Sequence, residues 1–361
     1  GGGGAANKGL VDINGAVSLA GATVIDTSSS GGTVNFDNKI NGGNNLTIKS
    51  GAGNVAITGV IGGDTTIGSL VINSTSASHT GDGDISVDDI GDGNTIGAGT
   101  VNIGNTNTAV LTLAGNTYKH GAAVYTSDAG DLIDLTDGAG NVTFTLADAS
   151  LEFAGGNIDL AASTHLVANT GNAALTVKGV RGAAGDYADV TLTTTGTVTV
   201  GTGGIGSSTQ IGDVSLDGGS IVLTGNITTA GTGAGANIVG DIDFDGNVTI
   251  DGAVVLTSDT GGSTTNDGKI DFSGTIVGDN SGGDGTADSL TLVSGSGTIT
   301  LGGTIGVANN AHLDALSINA TSSPSALTIP QIGTGTALGT AGVQGVTSIG
   351  NAASTSVTLG N

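Results

Sequence analysis

The sequence predicts an all-β protein that folds as a right-handed, elongated parallel β-helix, also called a β-solenoid. Three observations carry this prediction: a degenerate internal repeat, short alternating strands separated by Gly, Asn and Asp, and a composition with 70 glycines but only 2% aromatic residues. A thin core built from Val, Ile, Leu and Ala suits stacked rungs, whereas a conventional domain of this length uses large aromatic side chains. Tandem β-sandwich modules are the alternative fold that short strands of this spacing also fit.

The repeat is clearest between two distant segments. Residues 46–57 read LTIKSGAGNVAI, and residues 290–301 read LTLVSGSGTITL. The alignment continues with Ser69–Asn73 (SLVIN) against Ala315–Asn319 (ALSIN). Each copy holds two short alternating strands joined by a glycine turn, and repetition of such a unit is typical of stacked β architectures.

Strand and turn signals alternate along the chain. Segments such as Thr33–Phe36 and Val110–Leu113 alternate apolar and polar residues, which predicts strands with one buried side. Gly, Asn and Asp lie between them and supply the backbone angles of tight corners. Gly62 and Gly306 occupy the same place in the two aligned copies, which indicates a shared corner.

The predicted core is a column of aliphatic side chains. We expect Val55, Ile57, Leu70 and Ile72 to face inward, because they lie at alternating positions of neighbouring short strands. With strands this short, we expect about 20 residues per rung.

The organisation predicted along the chain is one continuous β-solenoid of degenerate repeats over residues 1–321. Residues 322–361 form a Pro/Ala/Thr/Gly-rich end, which is expected to continue into further rungs. No stretch keeps the periodicity of an amphipathic helix, and no apolar run is long enough to predict a transmembrane helix.

Charge excludes one class of partner. The formal net charge is −24, from 31 acidic and 7 basic residues. Nucleic-acid binding is therefore not expected, because contacts with phosphates require Lys and Arg. The acidity instead fits a soluble surface or the binding of cations.

Reactive groups give little indication of an enzyme. The chain has no Cys, and its four histidines are widely spaced, which predicts exposed corner or loop positions and no zinc site. The best enzymatic cluster places Lys178 and Arg181 close to Asp186, Tyr187 and Asp189. A polysaccharide lyase needs a basic residue near acidic calcium ligands, so a glycan-processing β-helix enzyme is the alternative function; the prediction is that the chain is not an enzyme.

Two groups of aspartates are candidate ligands for Ca²⁺, since carboxylate oxygens on glycine-rich corners can supply its six to eight ligands. The candidate metal ligands are Asp82, Asp84, Asp88, Asp89 and Asp92 in the first group, and Asp241, Asp243 and Asp245 in the second. Neither group matches an EF-hand loop. The competing interpretation is that both groups are solvated acidic turns or the outer face of a strand, with no cofactor.

The pattern Thr-Val-x-Phe, Leu-Thr-Ile, Gly-x-Gly-x-Val and Leu-x-Ile, over about Val11–Thr321, resembles filamentous-haemagglutinin-like and autotransporter-passenger-like bacterial surface proteins with β-strand repeats. The resemblance implies a right-handed parallel β-helix, export across the bacterial envelope, and an adhesive or structural role.

The function expected from these observations is a non-enzymatic, extracellular structural or adhesive component of a bacterial surface exoprotein or filament. The expected partners are a host-cell, neighbouring-cell or matrix surface, or further copies of the chain stacked end to end. The expected location is the bacterial cell surface.

Overall fold

A computed structural model describes most of the chain. The described residues are 9–73, 83–136, 140–183, 187–230, 240–258, 267–279, 287–306, 311–319, 327–329, 331–333, 342–350 and 357–359.

The fold is a β-solenoid of about 11 turns, and the described residues contain no helix. The predicted parallel β-solenoid is therefore confirmed. The strand pairings whose residue register is described, from Val11 with Val34 to Leu327 with Val357, are all parallel. The alternative of tandem β-sandwich modules is therefore wrong for the described strands, because such modules are built from antiparallel sheets.

The chain groups into two compact units, unit 1 (Gly1–Lys178) and unit 2 (Gly179–Asn361). The strands that begin in unit 1 are β1 (Val11–Ile13), β2 (Val17–Ser18), β3 (Thr23–Asp26), β4 (Val34–Phe36), β5 (Ile40–Asn41), β6 (Leu46–Lys49), β7 (Val55–Ile57), β8 (Ile67–Ile72), β9 (Ile85–Val87), β10 (Ala98–Ile103), β11 (Val110–Leu113), β12 (Thr117–Thr126), β13 (Leu132–Leu135), β14 (Gly140–Leu146), β15 (Leu151–Ala154), β16 (Asn157–Leu160), β17 (Thr164–Asn169) and β18 (Leu175–Arg181).

The strands of unit 2 are β19 (Val190–Ile205), β20 (Val214–Leu223), β21 (Ile227–Thr228), β22 (Ile242–Ile250), β23 (Ala253–Thr257), β24 (Ile270–Phe272), β25 (Ile276–Gly278), β26 (Ser289–Val293), β27 (Ile299–Leu301), β28 (Ala315–Ile318), β29 (Leu327–Ile329), β30 (Thr347–Ile349) and β31 (Val357–Leu359).

Unit 1 stacks its strands in parallel ladders around one core. One ladder runs β1–β4–β7–β9–β11–β13–β16, and a second runs β3–β6–β8–β10–β12–β15–β18. A third face includes the pairing of β2 with β5 and that of β12 with β14 and β14 with β17. Backbone N–H and C=O groups are thereby paired between successive rungs.

Unit 2 follows the same plan. One ladder runs β19–β20–β22–β24–β27–β29–β31, and another runs β21–β23–β26–β28–β30. β22 is long enough to pair with both β24 and β25, because its rung continues through Gly246 into a second face.

The predicted core positions are confirmed. Val55, Ile57, Leu70 and Ile72 are each at most 1% exposed, and each stacks on an apolar residue of the next rung. Each Val, Ile or Leu side chain that is fully buried in the core contributes roughly 1.5–3 kcal/mol to the stability of the fold. The ladder register therefore carries most of the hydrophobic stabilisation.

The predicted rung length is too short for part of the chain. From Val34 to its stacked partner Val55 the rung is 21 residues, but from Leu70 to Val101 it is 31. Extra residues lie in the corners between strands, where they leave the register of the strands intact.

Candidate functional site

Unit 2 has a groove of about 440 Å³ on the outer face of its first ladder. The parallel register stacks Ser215, Asp243, Asp271 and Thr300 in one outward-facing row. These side chains point outward because their neighbours along each strand point into the core; Phe244, next to Asp243, is buried. We call this row and its immediate neighbours the acidic groove.

One cation lies among the carboxylates of the acidic groove. Lys269 Nζ donates hydrogen bonds to Asp243 Oδ1 at 2.8 Å and to Asp271 Oδ2 at 3.1 Å. The hydrogen bond to Asp243 is the largest cause that raises the pKa of Lys269 above its ordinary value. The lysine therefore stays charged and holds the two carboxylates side by side.

Asp245 lies in the same groove with a different partner. Ser273 Oγ donates to Asp245 Oδ1 at 2.9 Å and accepts from the backbone N–H of Gly246 at 3.1 Å. Behind them the rings of Phe244 and Phe272 stack with centroids 4.6 Å apart. This buried stack fixes the two strands that carry the groove, so its polar side chains are presented on a rigid support.

A second acidic feature of unit 2 is a column at the entrance to this ladder. Asp189 Oδ1 accepts from the backbone N–H of Asp213 at 2.8 Å, and Asp213 Oδ1 accepts from that of Asp241 at 2.8 Å. Asp241 Oδ1 in turn accepts from the backbone N–H of Lys269 at 2.9 Å. We call these residues the aspartate column. Each carboxylate satisfies a backbone donor of the next rung, which is a structural task.

Stacking carboxylates one rung apart has an electrostatic effect. The pKa of Asp213 is raised, first by desolvation between the neighbouring rungs and then by the negative charges of Asp189, Asp241 and Asp243, against the lowering effect of its hydrogen bond from Asp241. The column is therefore held by hydrogen bonds and opposed by charge repulsion.

The second predicted calcium group is thus placed on one side of unit 2. Asp241 belongs to the aspartate column, while Asp243 and Asp245 line the acidic groove. They are half-buried or exposed, as on the outer face of a strand.

The first predicted calcium group lies on corners of unit 1, except for Asp82, which lies outside the described residues. Asp89 Oδ1 accepts from the backbone N–H groups of Asn116 and Thr117, each at 2.8 Å. Its role matches that of the aspartate column: it joins one rung to the next.

Asp92 forms a local turn instead. Its Oδ1 accepts from the backbone N–H of Thr95 at 2.6 Å and of Asn94 at 3.0 Å, and these hydrogen bonds lower the pKa of the carboxyl group. Asp84 is exposed and Asp88 is half-buried on either side of β9. Among the described residues, no three His, Asp or Glu side chains gather closely enough to hold a metal ion. Calcium binding stays a prediction.

The prediction that the histidines are exposed is wrong for His120, which is only 1% exposed within β12, and for His312, which is also buried. His165 is half-buried on β17, and His312 is 9% exposed, with its Nε2 3.8 Å from Asp314 Oδ1. His79 lies outside the described residues. The one sequence signal for the burial of His120 is alternation: it lies two residues after Tyr118 in the same strand and therefore on the same face.

In the cluster predicted for glycan chemistry, which includes Lys178 and Arg181, the lysine is engaged by the backbone. Lys178 Nζ donates to the backbone carbonyl oxygens of Gly155 and Ala129, both in unit 1. Asp186 lies outside the described residues. The described part of this cluster therefore gives Lys178 a structural role at a corner.

The fold and surface define a β-solenoid repeat protein. No protein-family model, curated protein or solved structure matches the chain. The described part of the chain holds no helix with the length and apolarity needed to cross a membrane.

Proposed function

We propose that the chain is a non-enzymatic structural or adhesive segment of a bacterial surface protein, of the filamentous-haemagglutinin-like or autotransporter-passenger-like kind. The observation that carries the proposal is the in-register stacking of a repeated rung within each unit. In that arrangement a rung contacts only its neighbours, and the fold presents long rows of outward side chains.

Mechanical continuity supports a structural role. Within unit 1, Val34, Val55 and Ile85 stack directly, and each strand hydrogen-bonds to the strands of the rungs on both sides. Such a ladder leaves few unpaired backbone groups for proteases to engage, which suits a segment exposed outside a cell.

Surface chemistry supports an adhesive role. The outward rows carry hydroxyl and carboxylate groups, as in the row from Ser215 through Asp243 and Asp271 to Thr300. These groups can hydrogen-bond to glycans, and the carboxylates can bind cationic surfaces. The proposed partners are a host-cell, neighbouring-cell or matrix surface, or further copies of the chain.

Location is tested on intact cells of the source organism. An antibody raised against the purified chain is expected to label unpermeabilised cells or the extracellular layer, and external protease is expected to remove the label. Labelling that appears only after cell lysis would overturn the proposed location.

Adhesion is tested with beads that carry the purified chain. We expect the beads to bind host cells or matrix, or to aggregate with each other, more than beads that carry a triple variant with Asp243, Asp245 and Asp271 each changed to Asn. The amides keep much of the hydrogen-bonding capacity but remove the charge. Equal binding by both kinds of bead would show that the acidic groove is not the adhesive face.

The enzymatic alternative is tested separately. Incubation of the chain with a panel of polysaccharides, followed by product analysis, is expected to release no fragments. Fragment release that disappears in the variant Arg181→Ala would replace the proposal with a glycan-processing function.

A further inference from the structure

The core of unit 1 contains one layer unlike the others. Tyr118, Tyr125, Phe144 and Phe153 are all at most 1% exposed and pack against one another, although the entire chain has only three Tyr and five Phe. Tyr118 stacks on Phe144 with centroids 4.8 Å apart, and Tyr125 stacks on Phe153 at 5.5 Å. The rungs of β12, β14 and β15 are thus held by an aromatic cluster.

His120 is buried beside this cluster, with both ring nitrogens in hydrogen bonds. Nδ1 lies 2.8 Å from the carbonyl oxygen of Gly121, and Nε2 lies 2.7 Å from the hydroxyl oxygen of Tyr125. Because a carbonyl oxygen only accepts, we assign the ring proton to Nδ1. Nε2 is then the acceptor, and the Tyr125 hydroxyl is the donor. The neutral ring therefore satisfies all its polar atoms.

The strands around His120 offer no anion to balance a charged ring. β10 and β14 contain no ionisable residue, and Glu152 of β15 is exposed on the outer face. Lys119, on the same strand as His120, turns outward and donates to the carbonyl oxygens of Gly93 and Asn94. Tyr118 and Tyr125, which are neutral in acid, are the ionisable side chains inside this layer.

The carboxylate of Asp89, at the corner before β12, is engaged with the backbone N–H groups of Asn116 and Thr117. Burial is the largest cause that lowers the pKa of His120, to about 4, against the raising effect of its hydrogen bond with Gly121. A charged imidazole at this position would be both desolvated and unpaired.

Neighbouring rungs show that the position does not require a histidine. The register stacks Ile67, Ala98, His120 and Leu146 in one buried column. An apolar residue fills the position in the other three rungs, so His120 replaces a residue that would be insensitive to pH.

We propose that His120 makes unit 1 an acid-sensitive segment: proton binding at its Nε2 removes the acceptor for Tyr125 and opens the rungs around β12, while unit 2 keeps its fold. The proposal rests on the buried geometry alone and is independent of the proposed function.

The proton linkage gives the size and direction of the effect. The pKa of His120 is below its ordinary value of 6.5, so the unfolded form binds a proton that the folded form excludes between pH 6.5 and about 4. Stability is therefore full above pH 6.5 and falls as the pH decreases, by up to about 300-fold in the folding equilibrium. The surroundings of His312 in unit 2 differ, because Asp314 Oδ1 lies 3.8 Å from its Nε2.

The test is hydrogen exchange of the full chain, followed by mass spectrometry between pH 7.5 and 4 and corrected for the intrinsic exchange rate. Peptides that cover β12 in unit 1 are expected to lose protection as the pH falls below 6.5. Peptides that cover β22 in unit 2 are expected to stay protected in the same samples.

The matched control is the double variant His120→Leu/Tyr125→Phe. Leucine follows Leu146 in the stacked column, and phenylalanine follows Phe153, which stacks on Tyr125. Removing both polar partners leaves no unpaired group. We expect the double variant to keep the protection of β12 at pH 4.5; equal loss in variant and wild type would overturn the proposal.

A second measurement does not depend on the variant folding. NMR titration of the wild-type chain, with each histidine assigned, is expected to show that His120 stays neutral well below pH 6. An ordinary titration of His120 near pH 6.5 in the folded chain would contradict the proposal.

Discussion

Asn73 binds Ser50 of the preceding rung through both ends of its side-chain amide. Oδ1 accepts from the backbone N–H of Ser50 at 2.8 Å, and Nδ2 donates to Ser50 Oγ at 2.8 Å. Both residues are almost fully buried, and Asn73 has a φ of 48°. The pair joins two corners of unit 1 inside the core, where water cannot substitute for either residue.

The same arrangement recurs in unit 2. Asn319 Oδ1 accepts from the backbone N–H of Ser294 at 2.8 Å, and its Nδ2 donates to Ser294 Oγ at 3.0 Å. Asn319 also has a positive φ, 44°. The two copies therefore share a corner motif in which an asparagine that ends one strand holds the serine turn of the rung before it.

We predict that Asn73→Ala destabilises the chain by about 2–4 kcal/mol. The change leaves the buried Ser50 N–H without an acceptor and places an alanine at positive φ. Asn73→Gly keeps the backbone angle accessible but loses the same hydrogen bonds, so its loss should be about 1 kcal/mol smaller. Urea unfolding of the full chain measures both values.

The equivalent pair in unit 2 is the control for this prediction. Asn319→Ala is expected to lose more stability than Asn319→Gly, as at Asn73, because the hydrogen bonds and the positive φ are the same at both corners. If Asn73→Ala is as stable as wild type, the hydrogen bonds to Ser50 do not stabilise the corner.

The repeat alignment explains how much of this could be predicted. Alignment of Ser69–Asn73 with Ala315–Asn319 placed the two asparagines in equivalent positions, and the alternation of Val55 and Ile57 predicted their burial. The hydrogen bonds to Ser50 and Ser294 could not be predicted, because they depend on the number of residues per rung. That number varies from 21, between Val34 and Val55, to 36, between Val254 and Leu290, where strand register can be followed.

The site was predicted less well than the fold, for a related reason. Asp241, Asp243 and Asp245 are adjacent in sequence, but rung stacking gives them different partners: Lys269 Nζ for Asp243, Ser273 for Asp245 and a backbone N–H for Asp241. His120 was missed because a single histidine in an alternating strand reads the same whether it faces water or the core.

Removing one charge from the aspartate column should stabilise unit 2. We predict that Asp213→Asn raises the free energy of unfolding by about 0.2–0.5 kcal/mol at neutral pH and low salt, a small value because the side chain is exposed. An amide Oδ1 can still accept from Asp241 N–H, as Asn226 Oδ1 accepts from Val255 N–H at 2.8 Å. Thermal unfolding of both proteins measures the difference.

The pH dependence of this difference follows from the raised pKa of Asp213. The charged form is disfavoured in the fold, so wild type loses stability relative to the variant as the pH rises from below 3.8 through the folded-state pKa. The extra stability of Asp213→Asn over wild type should be absent below pH 3 and complete at pH 7. Asp213→Ala, which lacks an acceptor, should be less stable than wild type; a gain with Ala as large as with Asn would contradict the hydrogen-bond role.

Lys269 should stabilise the acidic groove at neutral pH. We predict that Lys269→Gln lowers stability by about 0.5–1 kcal/mol at low salt and by much less in 1 M NaCl, because Lys269 and both its carboxylate partners are partly exposed. Since its pKa is raised, the contribution is full below pH 10.5 and is lost as the pH rises further. Lys39→Gln is the control, since within the described part of the chain Lys39 forms an ion pair with one carboxylate, that of Asp64.

The calcium prediction is tested by thermal unfolding in excess NaCl. Binding to the first predicted group (Asp82, Asp84, Asp88, Asp89 and Asp92) or to the second (Asp241, Asp243 and Asp245) predicts a melting temperature that rises and saturates at low Ca²⁺ and falls again with EDTA. A rise that NaCl reproduces at matched ionic strength would instead indicate general screening of the net charge of −24.

A side chain at a corner glycine can destabilise the fold for two reasons, a strained positive φ and a clash with the next rung. Gly62 and Gly93 separate these two effects. Both have a positive φ, 69° and 83° respectively. A Cβ at Gly62 would overlap the backbone carbonyl of Gly97 in the next rung, whereas a Cβ at Gly93 would meet nothing within 4 Å. Gly93→Ala therefore carries only the conformational penalty of about 1–2 kcal/mol.

Gly62→Ala adds a clash with backbone that the stacked rungs hold in place. Gly62 N–H donates to Ile40 O at 2.7 Å, and Gly97 O accepts from Ile67 N–H at 2.9 Å, so neither segment can move without breaking a ladder. We predict that Gly62→Ala destabilises the chain by about 2 kcal/mol or more beyond Gly93→Ala, as expected for overpacking with backbone shifts. Urea unfolding compares the two variants directly. Equal losses would mean that the corner opens to accept a methyl group, and that close rung contact at Gly62 does not constrain the sequence.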